Sequence, residues 1–411
     1  MELLAPAGNL HKMKTAFAFG ADAVYLGIPD FSLRTRINGF TIPSIRQAVK
    51  YAHKLDKKVY VTINIFAHNK HLKNLPKYIK KLKEIKVDAL IVSDPGIIME
   101  IKKYWPTAIL HLSTQANCIN WQSAKFWHEN GVQRIVLGRE VALDAIQEIH
   151  KKNPKLELEY FVHGAMCMSY SGRCDLSKYF VDKSANLGDC VQPCRWNYNL
   201  TLQAENHEDK ILELKNDQHG SYILNSKDLC LLKYLEQMKK AGVTSFKIEG
   251  RTKSAYYVAN IVGIYKKILN KINQKNKIVN KEVDSLYNEL EEKIVNRGYT
   301  TGFLLNKEAE QNTSNSHKKP KWEFCGQVVK CVLKNKEYLV YIKVHNSLSV
   351  GDEVEIVKPI YDLVNFKLKK MMNDKNGKEL LIAHGGGSQH VVIIKSEKEI
   401  PSYSVVRRRI V

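Results

Sequence analysis

Short apolar runs alternate with amphipathic stretches along the chain between Glu2 and Gly250. Apolar positions three or four residues apart indicate helices, whereas short unbroken apolar runs indicate buried strands. The helices so predicted are Leu10–Phe19, Ser44–Lys54, Leu75–Ile85, Gly96–Tyr104, Trp121–Asn130 and Leu143–Lys151. The predicted strands are Glu2–Pro6, Ala23–Gly27, Val59–Asn64, Ala89–Asp94, Ile109–Thr114, Arg134–Gly138, Leu156–His163 and Ser245–Gly250. Strands that alternate with helices in this way predict an α/β fold, a TIM-type (β/α)8 barrel.

The pattern changes at Trp322, where short segments of alternating apolar and polar residues predict a small C-terminal all-β barrel. The predicted domains are residues 1–270 for the TIM-type barrel, 271–320 for a helical connector and polar linker, and 321–411 for the β-domain. Within the barrel, a cysteine-rich insertion over residues 163–230 follows the seventh strand. Alternating segments on both sides of Asn206–Gly220 predict a β-hairpin in this insertion.

Polar residues gather where the predicted strands end. The carboxyl ends of the strands form the working face of a TIM barrel, so side chains there are candidates for chemistry. The predicted catalytic residues are His163, Lys247, Glu249 and Arg251, and the predicted cofactor-binding residues are Asn64, Gln115 and Arg139. Strand alternation directs Lys247 and Glu249 to one face, where they suit an anionic small molecule. The alternative is that these two residues form an internal ion pair that only stabilises the barrel.

Five of the eight cysteines lie in or just after a Gly- and Ser-rich stretch: Cys167, Cys174, Cys190, Cys194 and Cys230. Disulfides are disfavoured because the first residues have no signal-peptide pattern, so an oxidising compartment is not indicated. Structural zinc favours paired short spacings, and here only Cys190 and Cys194 lie close together. The wide, irregular spacing is what a [4Fe–4S] cluster tolerates, because each thiolate comes from a separate loop. An iron–sulfur cluster is therefore the preferred hypothesis, and zinc stays open.

The composition is strongly basic, with 64 Lys and Arg residues against 42 Asp and Glu and a formal net charge of +22. Such a charge attracts polyanions, so we expect a nucleic acid partner. Lysines scattered along helices in a Lys-rich proteome explain the charge equally well, so the charge alone does not establish that partner. No apolar run reaches the roughly 20 residues of a membrane span. We therefore expect a cytoplasmic protein without a membrane partner.

Five motifs occur in an order that strongly resembles the peptidase U32 family: MELLAPAGN, HGAMCMSYSGRC, CVQPCRWNY, NSKDLC and SFKIEGRTKS. The resemblance spans almost the whole chain, and the terminal β-domain is similar to that of bacterial members. It implies an oxygen-independent hydroxylase, and the members that this chain most resembles form 5-hydroxyuridine at the wobble position of tRNA. It also implies a [4Fe–4S] cluster, with prephenate as the hydroxyl source.

The same resemblance implies a ligand set for the cluster. The family's ligands correspond to Cys167, Cys174, Cys190 and Cys230 of this chain. Cys194 also stands in the recurrent Cys-x3-Cys motif, and some relatives bind iron through that pair, so Cys194 is the alternative to Cys230. The resemblance transfers no general acid or base to this chain.

Three functions are compatible with these features. The first is a tRNA hydroxylase with an iron–sulfur cluster and a small anionic co-substrate. The second is a peptidase, although the chain has neither the HExxH nor the GxSxG motif, and Cys167, crowded by other cysteines, is more credible as a ligand than as a nucleophile. The third is a non-catalytic RNA-binding factor with structural zinc. The first is preferred because it uses the cysteines, the charge and the β-domain together.

Overall fold

The computed structural model describes residues 1–33, 39–198, 200–204, 207–214, 224–274, 280–307, 309–314, 316–386 and 391–410. The strands up to residue 300 are β1 (Glu2–Pro6), β2 (Ala23–Gly27), β3 (Lys58–Ile63), β4 (Ala89–Val92), β5 (Leu110–Leu112), β6 (Arg134–Val136), β7 (Glu157–Ala165), β8 (Leu200–Ala204), β9 (His207–Leu214), β10 (Asp228–Cys230), β11 (Val243–Ile248) and β12 (Tyr299–Thr300). A hairpin is present in the insertion, but β8 pairs with β9, which lies within the segment Asn206–Gly220 that the prediction places between the two strands. Residues 215–223 of the insertion lie outside the described residues.

Eight parallel strands close into a barrel, as predicted. Hydrogen-bonded neighbours follow the order β11–β1–β2–β3–β4–β5–β6–β7, and β11 also pairs with β7. In the parallel registers, Tyr60 lies opposite Ala89 and Val243 lies opposite Leu158. The side chains of β2, β4, β5 and β6 are buried along their whole length. Burial on both faces explains why β2 and β4 read as apolar runs in the sequence, whereas β5 and β6 also bury His111 and Arg134.

The helices are α1 (Leu10–Ala18), α2 (Ile42–His53), α3 (Asn69–Leu72), α4 (Leu75–Ile85), α5 (Pro95–Tyr104), α6 (Trp121–Glu129), α7 (Leu143–Lys152), α8 (Leu176–Val181), α9 (Leu235–Lys240), α10 (Ala255–Asn273) and α11 (Asn280–Lys293). The six predicted helices are confirmed as α1, α2, α4, α5, α6 and α7. Asp94, at the end of β4, accepts the N–H of Ile97 at 2.9 Å and caps α5. No helix in the described ranges is long and apolar enough to cross a bilayer.

Two further strands extend the barrel sheet beyond β7. Strand β10 pairs antiparallel with β7, with Cys230 opposite His163, and β12 pairs parallel with β10. The polar segment 309–314, which the sequence places in a linker, is hydrogen-bonded to the residues just before β10. There the N–H of Lys227 donates to the backbone oxygen of Glu310 at 2.9 Å. This segment is therefore attached to the sheet edge rather than running free.

The C-terminal domain is all-β, as predicted. Its strands are β13 (Trp322–Lys334), β14 (Glu337–Val344), β15 (Ser347–Ser349), β16 (Glu353–Lys358), β17 (Asp362–Lys367), β18 (Met371–Asn373), β19 (Glu379–Leu380), β20 (Ile382–His384), β21 (Val391–Ser396) and β22 (Val405–Arg409). One sheet has the order β17–β16–β22–β13–β14–β21–β18–β19, and β15 pairs with β20. Val328, Ile342, Ile356 and Ile394, all at most 1% exposed, belong to its core.

Contacts group the chain into two compact units. One unit joins residues 1–24, 253–294 and 320–411, and the other joins residues 25–252 and 295–319. Within the first unit, the fully buried Arg407 of β22 donates to Asn260 of α10 at 2.8 Å and to Glu355 of β16 at 2.6 Å. Lys293 of α11 binds the same Glu355 carboxylate at 3.1 Å. Because buried charges are stable only when paired, the β-domain depends on α10 and α11.

Candidate active site

A cavity of about 150 Å³ lies at the carboxyl ends of the barrel strands. One wall consists of side chains on the barrel strands or just after them, and these include Tyr25, Asn64, Gln115, Arg139, Phe161, Lys247, Glu249 and Arg251. The rest of the wall includes residues of the cysteine-rich segment that follows β7, among them Cys167, Cys174, Cys190 and Cys194. Four cysteines and six of the seven polar residues predicted at the barrel mouth therefore share one cavity.

Contacts with the barrel fix the start of the cysteine-rich segment. Gly164, near the end of β7, has φ of +113°, and a Cβ added there would lie 2.6 Å from the backbone oxygen of Glu249. Because glycine has no Cβ, it adopts the positive φ without strain and leaves room for the backbone of Glu249. Further along, the N–H of Ser171 donates to Oε1 of Glu140 at 2.6 Å. These contacts hold the thiols at the barrel mouth.

The four thiols on the cavity wall are partly exposed, and none of them is in a disulfide. Burial raises the pKa of Cys174, and the thiols of Cys190 and Cys167 raise it further. Burial also raises the pKa of Cys194; Arg195 opposes this rise, and the other three thiols reinforce it. Four cysteines that line one cavity are a donor set that suits an iron–sulfur group, which binds cysteine side chains as thiolates. Within the described ranges, no three His, Cys, Asp or Glu side chains are arranged to hold a single metal ion.

Two residues predicted for the site are not on the cavity wall. Cys230 is 3% exposed on β10, His163 is 2% exposed on β7, and the two are cross-strand partners. The imidazole of His163 lies 5.4 Å from the ring of Tyr299, centroid to centroid. The structure therefore places Cys194, rather than Cys230, on the wall that the other three cysteines form.

Lys247 is paired with a buried carboxylate that sequence reasoning missed. Its Nζ lies 2.7 Å from Oε1 of Glu159, and NH1 of Arg134 lies 3.2 Å from Oε2 of the same carboxylate. Glu159 is fully buried, and the two cations are 4% and 5% exposed. Burial opposes the ionisation of Glu159, but Lys247 and Arg134 hold its pKa below the usual value. Lys247 therefore has an internal ion pair, and its partner is Glu159, whereas the alternative interpretation names Glu249.

The sequence contained a signal for this ion pair. Glu159 and Arg134 are charged residues inside predicted strands that are otherwise largely apolar. A charge on a buried strand needs a partner of opposite sign, because an isolated buried charge is costly. Their positions on the neighbouring strands β7 and β6 make them natural partners, with Arg134 directly opposite Glu157 in the register.

Two guanidinium groups reach the cavity wall together with the carboxylate of Glu249. Arg251 donates to the backbone oxygen of Leu33. Arg139 lies over the ring of Phe161, with Cζ 4.0 Å from the ring centroid. Within the part of the chain that the structure describes, Nε of Arg139 is buried without a hydrogen-bond partner. Two guanidinium groups against one carboxylate give this wall an excess of positive charge, which suits an anionic ligand.

The wall also carries the amides of Gln115 and Asn64. Asn64 donates from Nδ2 to the hydroxyl of Ser113 at 3.2 Å. Gln115 is 3% exposed, and among the described residues neither its Oε1 nor its Nε2 has a hydrogen-bond partner. Its backbone oxygen accepts from the guanidinium of Arg173 at 2.8 Å, which fixes the loop that carries it. A buried amide without partners costs about 1–3 kcal/mol, so its position on a cavity wall indicates a ligand that pairs with it.

Two family models match the chain. The model described as peptidase family U32 matches residues 8–314, and the model described as peptidase family U32 C-terminal domain matches residues 320–407. This chain belongs to peptidase family U32. The resemblance of its five motifs to that family is therefore confirmed, and the matches include both the barrel and the β-domain.

Three relatives of this U32 protein carry names that refer to RNA. The "tRNA hydroxylation protein P" of Escherichia coli is 38% identical over 99% of this chain and 96% of its own length. The "tRNA hydroxylation protein P1" of Bacillus subtilis is 36% identical over 99% of this chain and 94% of its own length. A 23S rRNA 5-hydroxycytidine synthase of Escherichia coli is 33% identical over 87% of this chain and 52% of its own length.

Proposed function

We propose that this U32 protein is a tRNA hydroxylase that forms 5-hydroxyuridine at the wobble position without O2 and with a [4Fe–4S] cluster as its cofactor. The observation that carries the proposal is the cavity in which four cysteines face guanidinium groups and an unpaired amide at a barrel mouth. The names of the relatives supply the reaction class, RNA hydroxylation. The peptidase alternative is not favoured, because the cavity presents four thiols rather than a thiol beside an imidazole.

Three of the proposed cluster ligands are Cys167, Cys174 and Cys190, which the family resemblance and the cavity wall support alike. The cavity wall favours Cys194 as the fourth ligand, whereas the family resemblance implies Cys230 on β10. A bound cluster would supply electron transfer at the barrel mouth. The segment that carries the ligands also forms part of the cavity wall.

The guanidinium groups of Arg139 and Arg251 are proposed to bind the carboxylates of a small anionic co-substrate. The family resemblance implies prephenate, which has two carboxylates, for this role. Each charge-assisted hydrogen bond contributes about 1.5–3 kcal/mol when water is excluded. Glu249 is proposed to orient the two cations. Lys247, already paired with Glu159, supports the wall from within the barrel.

Gln115→Leu is expected to leave the free energy of unfolding unchanged or slightly raised, because it removes a buried amide that has no partner among the described residues. The same change should lower kcat/KM for tRNA hydroxylation at least tenfold, which corresponds to about 1.4 kcal/mol of lost pairing with a bound reactant. Urea denaturation measures the first effect, and mass spectrometry of tRNA nucleosides measures the second.

Gln133 provides the control for this experiment. Its Oε1 accepts the N–H of Leu110 at 2.7 Å, and it is not part of the cavity wall. Gln133→Leu should therefore lose some stability and retain full activity. A Gln115→Leu protein that is destabilised but fully active would show that the amide of Gln115 serves the fold instead.

The β-domain contains a groove of about 500 Å³ that is rich in lysine. Its lining includes Lys367, Lys369, Lys370, Lys395 and Lys398, against Glu337 and Glu397. Glu337 pairs with Lys395 at 2.6 Å. The remaining excess of ammonium groups attracts phosphate, and binding there would release counterions from RNA. We therefore propose that this groove holds part of the tRNA backbone.

The double change Lys369→Gln with Lys398→Gln is expected to weaken tRNA binding about tenfold at physiological salt. It should also reduce the slope of log affinity against log salt by about 2, because each lost phosphate contact removes roughly 0.9. The control is the same change at Lys50 on α2 and at Lys54 just after it, both of which are exposed. Equal losses in both proteins would indicate a general effect of charge and would contradict a specific groove. Point changes are preferable to deleting the β-domain, whose buried ion pairs hold α10 and α11.

The proposed reaction is tested in cells and with purified protein. Mass spectrometry of tRNA nucleosides from a deletion strain should show loss of the 5-hydroxyuridine derivatives, and the gene should restore them. Protein purified without air should be brown and contain iron and acid-labile sulfide. A colourless protein with stoichiometric zinc, together with unchanged tRNA in the deletion strain, would favour the RNA-binding factor.

A further inference from the structure

Four aromatic side chains of the cysteine-rich segment form a group beside the cavity. We call Tyr179, Phe180, Trp196 and Tyr198 the aromatic cluster. The ring centroid of Phe180 lies 5.3 Å from that of Tyr179, 5.9 Å from that of Trp196 and 6.1 Å from that of Tyr198. The corresponding interplanar angles are 88°, 59° and 51°, so Tyr179 meets Phe180 edge-on, the other two rings are tilted against it, and none of the three is stacked face to face on Phe180.

Much of the aromatic cluster is exposed to solvent. Tyr179 is 84% exposed, Phe180 is 43% exposed and Trp196 is 37% exposed, and the adjacent Val181 is 38% exposed. Contiguous exposed apolar surface is costly, and in soluble proteins it marks an interaction site. Because neither ring is stacked face to face on Phe180, ring surface of Tyr179 and Trp196 stays available for another flat group.

The aromatic cluster is continuous with the cavity wall. Leu176, the first residue of α8, lines the cavity, and α8 also carries two of the four rings. Cys194 lines the cavity and lies two residues before Trp196. The hydroxyl of Tyr198 donates to the backbone oxygen of Pro193 at 2.8 Å, which fixes the ring.

We propose that the aromatic cluster stacks on the bases of a single-stranded RNA loop that flank the nucleotide held at the cavity. This inference rests on the proposed function, because it takes RNA as the substrate. Bases have flat faces that stack on aromatic rings with little regard to sequence, and RNA loops present unstacked bases. The formal charge of +22 favours RNA over a protein as the occupant. The wobble nucleotide lies in such a loop, the anticodon loop.

Tyr179→Ala and Trp196→Ala test the aromatic cluster, with Tyr179→Phe as the conservative change. Fluorescence anisotropy measures the binding of an unmodified tRNA transcript and of its isolated anticodon stem–loop to the full-length protein over a range of salt. Each alanine variant should bind both RNAs roughly 5- to 100-fold more weakly, as expected for the loss of one stacked base. Tyr179→Phe should bind like the wild type. The slope of log affinity against log salt should not change, because no phosphate contact is lost.

Phe126→Ala is the matched control. Phe126 is 56% exposed on α6, and its ring meets that of Trp127 at an angle of 76° with centroids 5.3 Å apart. It therefore reproduces the exposure and the ring geometry outside the cysteine-rich segment, and Phe126→Ala should bind RNA with wild-type affinity.

Wild-type affinity of both Tyr179→Ala and Trp196→Ala for the stem–loop would overturn the inference and would assign the aromatic cluster to a protein partner. Failure of the wild-type protein to bind tRNA would overturn the proposed function and, with it, this inference. The two failures are distinguishable because the first requires a wild-type protein that binds RNA normally.

Discussion

Cys174→Ser is expected to lose essentially all bound iron and all detectable tRNA hydroxylation. The same result is expected for Cys167→Ser and Cys190→Ser, because all three thiols line the cavity. Loss of one of four thiolates weakens a site in which each ligand positions the group for the others. Iron and acid-labile sulfide analysis of protein purified without air measures the cluster, and nucleoside mass spectrometry measures the reaction.

Cys118→Ser is the control for these variants. Cys118 is 2% exposed, and burial raises its pKa to about 12, so it is an inert thiol that should be replaceable without loss of iron. The separate variants Cys194→Ser and Cys230→Ser identify the fourth ligand. The variant that loses its iron lacks a ligand, whereas in the variant that retains its iron the replaced cysteine is not a ligand. Full iron content in Cys174→Ser would contradict the proposed site.

Lys247→Met is expected to destabilise the protein by about 3–5 kcal/mol, because it leaves the fully buried carboxylate of Glu159 with Arg134 as its remaining cation. Urea unfolding followed by circular dichroism measures this loss. Arg251→Met should retain the fold and the iron and lose most of the hydroxylation, since Arg251 lies on the cavity wall and donates to the backbone oxygen of Leu33. We therefore expect Lys247 to support the fold and Arg251 to support the reaction.

A double change separates the ion pair from the packing around it. Glu159→Gln combined with Lys247→Met removes both charges and should recover part of the stability lost in Lys247→Met alone. If Lys247→Met is as stable as the wild type but inactive, Lys247 serves the reaction directly, as the strand pattern predicts, and the role assigned here to the ion pair is wrong.

The barrel was predictable because its signals are local. A buried parallel strand requires apolar side chains on both faces, and an amphipathic helix requires an apolar stripe, so each element is visible in a short stretch of sequence. The bounds of β2 agree with the prediction, and β11 differs from it by two residues at each end. The cysteine-rich insertion was visible for the same reason, since its composition differs from that of any strand or helix.

Some residues were misjudged because they were assessed one strand at a time. Lys247 and Glu249 share a face of the predicted strand Ser245–Gly250, which suggested a pair, but β11 ends at Ile248 and the carboxylate that binds Lys247 comes from β7. The polar segment 309–314 resembles a linker, but its backbone meets the residues before β10. Both contacts depend on which segments are neighbours in the closed sheet. Pairing between residues that are far apart in sequence sets this arrangement.

The sequence by itself determined the barrel, the β-domain, the family and the position of the cysteine-rich segment after β7, because periodicity and motif order are properties of a linear chain. Only the tertiary structure decided which side chains face the same cavity. It placed Cys194 on the cavity wall and Cys230 on β10, left the amide of Gln115 without a partner among the described residues, and exposed the aromatic cluster beside the thiols. The physical reason is that a cavity is formed by loops from several strands, and their meeting depends on barrel closure rather than on the residues beside them in sequence.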